Sequence, residues 1–170
     1  MRASFCPLPQ ECVKVAVRVR PDLPGEEGSD KCLEVDEDAG TASLTKTLRT
    51  DRSGRTTEDP CGGSHTYAFD SAFSERATQN DVFGKVKPLI DSAFDGYNST
   101  VFCHGPSGSG KTHTMVGTPS DPGIVPQALE RIFELASAQQ NRLLVVVLSV
   151  LELYNDQFYD ILSSSSAATA

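Results

Sequence analysis

From Val13 to Val19 the chain reads VKVAVRV, with apolar and polar side chains alternating, which predicts a strand with Lys14 and Arg18 on one face and the valines on the other. Arg20-Pro21 ends it, because proline has no amide hydrogen to give a ladder. Further along, short β-prone pieces at Cys32–Val35, Ala42–Thr47 and His65–Phe69 are separated by polar, Gly-rich segments, of which 50–64 is the longest. They predict a small antiparallel appendage. At Thr78 the period changes: Val82, Phe83, Val86, Leu89, Ile90, Ala93 and Phe94 fall on one face of a helix, with Thr78 as N-cap and Asp81 three residues on. Pro88 is expected to kink this helix and Gly96 to end it.

Val101 to Cys103 reads as a short buried strand running into glycines. A helical pattern at Lys111–Val116 is interrupted by GTPSDPG and resumes from Pro126, with Leu129, Ile132, Phe133, Leu135 and Ala136 on one side. Leu143 to Leu153 is apolar enough for a strand buried on both faces, as parallel sheets require. Strand and helix in alternation predict an α/β architecture. The tail SSSSAATA, 163–170, is of low complexity and is expected to be disordered.

At 170 residues and 38% hydrophobic, the chain is long enough for one core of ordinary size. Its formal net charge of −8 argues against direct nucleic-acid binding, which usually rests on a basic stripe. Eight of the acidic residues lie between Asp22 and Asp38, in what reads as a solvated excursion. EVDEDAG within it fails as a calcium loop, because Gly40 is misplaced and no glutamate follows at the twelfth position. The five cysteines form no CxxC pair and are expected to be reduced thiols. The first dozen residues lack the apolar core of a signal peptide, and the longest purely apolar run, Leu143–Leu148, is six residues. The expectation is a protein that is neither secreted nor inserted in a membrane.

Gly105-Pro106-Ser107-Gly108-Ser109-Gly110-Lys111-Thr112 satisfies GxxxxGK[ST], placed after a predicted strand and opening a predicted helix. Glycines let the backbone fold back so that successive amides point inward and grip phosphate oxygens. Lys111 adds a charge for the β and γ phosphates, and Thr112 is placed to put its hydroxyl on Mg²⁺. Pro106 cannot donate, yet it stands ahead of the amides from Ser109 onward. No NKxD for guanine occurs, so adenine is the expected base and ATP the expected ligand. A generic ATPase reading takes Leu144–Glu152 as a Walker B strand with Glu152 as the acid, although no aspartate precedes it.

The same residues resemble the kinesin motor domain. VKVAVRVRP (13–21) resembles its first strand with the closing RxRP, YAFDSAF followed by Gln79 and Val82-Phe83 its next elements, and GYNSTVFCHGPSGSGKTHTM (96–115) its phosphate-loop segment. GIVPQALERIF (123–133) and VLELYNDQFYDIL (150–162) resemble the following helix and strand. The resemblance implies a phosphate-loop NTPase sheet flanked by helices, here incomplete, over 13–162, between an extension at 1–12 and the tail at 163–170. It implies that Arg20 and Pro21 on one side and His113 on the other frame the adenine ring. It also implies microtubules as partner and a cytoplasmic, cytoskeletal location.

Cys103, His104, Pro106 and Ser107 depart from the family's usual Ala, Tyr, Gln and Thr. The family's switch I (NxxSSRSH) and switch II (DLAGxE) motifs do not follow within these 170 residues. Two functions are therefore weighed: the ATP-binding part of a motor that couples hydrolysis to movement along microtubules, and a nucleotide-binding module without turnover. For the 170 residues as they stand, binding without appreciable hydrolysis is expected.

Overall fold

The computed structural model describes residues 13–25, 32–45, 64–139 and 144–162, together with the backbone of 49–50, 56–57 and 168–169. Its elements in order are β1 (Ala16–Arg18), β2 (Leu33–Asp36), β3 (Thr41–Leu44), β4 (Arg49–Thr50), β5 (Thr56–Thr57), β6 (His65–Ala68) and β7 (Ser71–Phe73). There follow α1 (Gln79–Phe94), α2 (Lys111–Met115), β8 (Gly117–Thr118), β9 (Asp121–Pro122), α3 (Ile124–Ala138), β10 (Leu151–Tyr154), β11 (Gln157–Asp160) and β12 (Ala168–Thr169). The protein is mixed α/β, built of small sheets. It divides into two compact units, Met1–Ile132 and Phe133–Ala170, with the boundary inside α3.

In the first unit, β1 pairs in parallel with β7 through Ala16–Ser71, Val17–Ala72 and Arg18–Phe73. The pairing extends past both ends of the strand, since the Asp70 amide donates to the Val15 carbonyl and the Val19 amide to the Phe73 carbonyl, both at 2.9 Å, and the Asp70 carboxylate accepts from the Val15 amide at 2.7 Å. The ladder is shorter than the alternation from Val13 to Val19 suggests, and Val13 stays 76% exposed. The antiparallel appendage forms as read, in the order β2-β3-β6.

α1 starts on a reciprocal capping box. The Asp81 amide donates to Thr78 Oγ1 at 3.2 Å, and the Thr78 amide donates to Asp81 Oδ2 at 2.8 Å, so two otherwise orphaned amides are satisfied. The helix runs unbroken through Pro88. Gly84, whose carbonyl loses the donor that Pro88 lacks, is solvent-exposed, so water can take the bond's place. Val82 and Val86 are buried with Phe73 and Ile124, and Ala77, Phe83, Ile90, Val101 and Met115 pack around them. Full burial of a side chain such as Phe73, Val82, Val86 or Ile124 contributes roughly 1.5–3 kcal/mol. Arg131 on α3 closes on Asp91 of α1 with Nε to Oδ1 at 2.8 Å.

Two strand expectations are corrected. Val101–Cys103 carries no ladder: Val101 and Cys103 turn inward, while Phe102 is 80% exposed. In the second unit the described part of the 143–153 run is ladder-free up to Val150, and Val147 is 82% exposed. β10 then turns back on β11 as an antiparallel hairpin through Asn155 and Asp156, both at positive φ (51° and 60°). Apolar character alone makes no strand, because a ladder needs a neighbour offering amides and carbonyls in register, and among the described residues 101–103 and 144–149 lie in no sheet. The backbone of Ala168–Thr169, within the tail expected to be disordered, pairs with β11. The rest of that tail, like most of 50–64, lies outside the described residues.

Candidate functional site

The loop at 105–110 joins the core-facing segment at Val101–Cys103 to the N-terminus of α2. Gly108 and Gly110 stand at φ 79° and 92°, conformations that glycine alone adopts without strain, and Gly110 caps α2. At Gly105 the constraint is contact: a Cβ there would sit 2.5 Å from Ser109 Oγ and 3.1 Å from its Cβ, so the serine side chain would have to move. The Ser109 amide donates to the Pro106 carbonyl at 3.2 Å, which closes the turn. Lys111 Nζ bends back over the loop and donates to the carbonyls of Gly105 and Pro106, both at 2.9 Å. The ammonium is thereby held at the loop's mouth.

α2 offers its first amides toward the loop, since the first of its i−4 bonds runs from the Thr114 amide to the Gly110 carbonyl at 2.9 Å. Thr112 and His113 are exposed on this helix. Ser109 Oγ is buried without a hydrogen-bond partner, an arrangement that costs free energy unless a further group completes it. Bare glycine backbone, a lysine at the mouth and an unpaired inward hydroxyl fit a polyphosphate. Among the described residues no group of three or more His, Cys, Asp or Glu could hold a metal ion. A Mg²⁺ here would be held by Thr112 together with phosphate oxygens and water, which is how this ion is commonly bound beside a nucleotide.

The end of β1 is brought to the loop. A Cβ on Gly110 would lie 3.9 Å from Arg20 Cβ, so Arg20 stands against the last loop glycine, and its Nη1 donates to the Pro21 carbonyl at 2.9 Å. Pro21 itself is exposed. His113 is tied to the other side, where Gln79 Nε2 donates to its carbonyl at 2.7 Å and lies 3.4 Å from its ring Nε2. Ser107 and Gly108 are exposed at the tip of the loop.

Between these walls runs a polar network that the sequence pattern did not single out. Arg18 Nη1 donates to Gln79 Oε1 at 2.8 Å and to Thr114 Oγ1 at 3.0 Å, and its Nη2 donates to the Ala77 carbonyl at 3.3 Å. Burial pulls the Arg18 guanidinium below its ordinary pKa, while Asp121 and Cys103 act in the opposite direction. Burial likewise pushes the Cys103 thiol up, opposed by Arg18. Alternation puts Arg18 on the same polar face as Lys14, yet Lys14 is exposed and Arg18 half-buried. The available signal was Gln79 itself, a polar residue directly after the capping threonine and already among the positions that carry the family resemblance.

Comparison with known proteins follows the same residues. The family described as the kinesin motor domain matches residues 18–170. "Kinesin-like protein KIN-14M" of Arabidopsis thaliana is 34% identical over 161 residues, covering 92% of this chain and 20% of its own length. "Protein claret segregational" of Drosophila melanogaster is 34% identical over 154 residues, 89% of this chain and 21% of its own. "Kinesin-like protein KIF3C" of Mus musculus is 38% identical over 159 residues, 90% of this chain and 19% of its own. The chain thus spans about a fifth of the length of these relatives.

Proposed function

The chain belongs to the kinesin motor domain family, and on that premise we propose that it is the ATP-binding part of a motor that couples ATP hydrolysis to movement along microtubules. The observation that carries the reading is the loop at 105–112, with Lys111 Nζ drawn to the Gly105 and Pro106 carbonyls at 2.9 Å and Ser109 Oγ buried and unpaired beside it. In this reading residues 13–162 are a partial motor domain of the phosphate-loop NTPase type, preceded by an extension at 1–12 and followed by the Ser/Ala tail. Its location is the cytoplasm, on the cytoskeleton. Among the described residues no helix is long and apolar enough to cross a membrane.

Each residue then has a defined task. The backbone of Gly105, Pro106, Ser107, Gly108, Ser109 and Gly110 forms the cradle, Lys111 supplies the positive charge, and Thr112 offers its hydroxyl to Mg²⁺. Arg20, Pro21 and His113 present flat or apolar surfaces to the base without reading its edge. Bound Mg-ATP would supply a γ-phosphoryl group whose presence or absence a motor converts into altered affinity for its track.

Phosphate release from Mg-ATP, measured with and without polymerised tubulin, tests the assignment. A tubulin-dependent rate that disappears in Lys111→Ala supports the motor in this chain. Binding of Mg-ATP without such a rate is the outcome expected of these 170 residues alone and supports the ATP-binding assignment without turnover in this chain. Absence of any Mg-ATP binding would refute both.

A further inference from the structure

We propose that Gln79 is a positioning residue that sets the width of the base pocket, holding His113 on α2 at a fixed distance from the strand whose end carries Arg20 and Pro21. The proposal rests on the nucleotide-site reading above and assigns a task to a side chain that lies outside the phosphate loop. Gln79 is the largest fully buried side chain among the described residues, at 2% exposure. It sits at the first position of α1, where an apolar residue would fill the same space without the cost of burying an amide.

The amide's orientation is determined by its neighbour. A guanidinium only donates, so the atom facing Arg18 Nη1 at 2.8 Å is the oxygen Oε1, and the NH₂ group turns toward α2. There it meets the His113 carbonyl at 2.7 Å and His113 Nε2 at 3.4 Å. Two hydrogens on Nε2 of Gln79 face two acceptors only if the His113 ring carries its proton on Nδ1. Gln79 therefore joins three elements: β1 through Arg18, α1 through its own backbone, and α2 through His113. Arg18 strengthens the bridge by donating directly to Thr114 Oγ1 at 3.0 Å. A buried amide with both ends committed has little freedom to shift, and so fixes the spacing of the elements it joins.

The test separates base binding from phosphate binding by calorimetric titration with Mg-ATP and with Mg-tripolyphosphate, which lacks a base. Gln79→Glu keeps an oxygen for Arg18 but replaces the donor facing the His113 carbonyl, so it breaks only the α2 half of the bridge. Gln79→Met keeps the length and removes both halves. In either variant Mg-ATP affinity is expected to fall about tenfold while tripolyphosphate affinity stays within about twofold, the size of losing one buried hydrogen bond at the base wall alone. In a His113→Ala background the same substitutions should add nothing further to the ATP loss.

Equal losses for both probes, or no loss for ATP, would overturn the proposal while leaving the phosphate-loop reading intact. Failure of the wild-type chain to bind either probe would overturn both. A measurement on the wild type alone gives a check independent of any variant's folding. Imidazole ¹⁵N shifts of neutral His113 should report an unprotonated Nε2, and a proton there would contradict the bridge.

Discussion

Two glycine-to-alanine substitutions in this protein should move stability in opposite directions. Gly123 lies between β9 and α3, and a Cβ there would stand 2.7 Å from the Thr114 carbonyl oxygen, 2.7 Å from the Met115 carbonyl carbon and 2.8 Å from the Met115 oxygen. All three atoms are backbone at the C-terminal end of α2, so no side chain can swing aside. Ordinary contacts begin at roughly 3.5 Å, and forcing a methyl group into a packed junction costs about 1–3 kcal/mol. Gly84, by contrast, is a helix-interior glycine on the exposed side of α1 with nothing within 4 Å of its Cβ position. Alanine there should gain about 0.5–1 kcal/mol from helix propensity and reduced freedom of the unfolded chain.

Thermal melts read both effects. With a shift of about 2–4 °C per kcal/mol for a protein of this size, Gly123→Ala should melt about 2–12 °C lower and Gly84→Ala about 1–4 °C higher than wild type. Urea titrations should show the midpoint moving with the slope unchanged, since neither substitution alters the surface exposed on unfolding. A Gly123→Ala protein as stable as wild type would refute the packing of α2 against the β9–α3 junction. That packing sets the far end of the helix that begins with Lys111.

The capping box gives a pH-dependent prediction. Hydrogen bonds from the Thr78 side chain and then its backbone hold the Asp81 carboxyl below its ordinary value of 3.8, so its stabilisation is present above that value and is lost as pH falls through the lower folded-state value. Asp81→Asn should therefore be less stable than wild type in melts near neutral pH, and the gap should begin to close only as pH falls below 3.8 and vanish below the folded-state value. Thr78→Ala should cost about 1 kcal/mol in urea titrations at neutral pH. In the loop, Gly105→Ala should weaken Mg-ATP binding in a fluorescent-analogue titration, and adding Ser109→Gly should recover part of the loss by removing the atoms the new Cβ meets. His113→Ala should weaken ATP and GTP alike in competition titrations, because a stacking wall does not read the edge of the base.

The sequence made the local features legible where one side chain decides the outcome. Thr78 and Asp81 specify the cap whatever lies beyond them, and the three glycines with Lys111 specify a loop that only glycine backbone can follow. The small antiparallel appendage was also readable from its β-prone pieces, though their order, β2-β3-β6, was not. Long-range pairing was not. Val101–Cys103 and residues 144–149 have the apolar composition of buried strands, yet composition is silent on which neighbour completes a ladder, and these segments lie in no sheet among the described residues, whereas Leu151–Leu153 does pair, with the strand that follows it. The hairpin at Asn155-Asp156 did carry a signal, because two residues that tolerate positive φ between β-prone runs favour a tight reversal. The partners of Gln79 were the least legible. Its burial depends on Arg18, 61 positions earlier, and on a helix that begins 32 positions later.

The central claim is that residues 105–112 bind the phosphates of Mg-ATP, and calorimetric titration of the wild-type and Lys111→Ala chains with Mg-ATP tests it most directly. Losing a charge-assisted contact of about 1.5–3 kcal/mol predicts a dissociation constant raised about 10- to 100-fold in the variant, with its melting temperature unchanged. Equal dissociation constants in the two chains would contradict the claim.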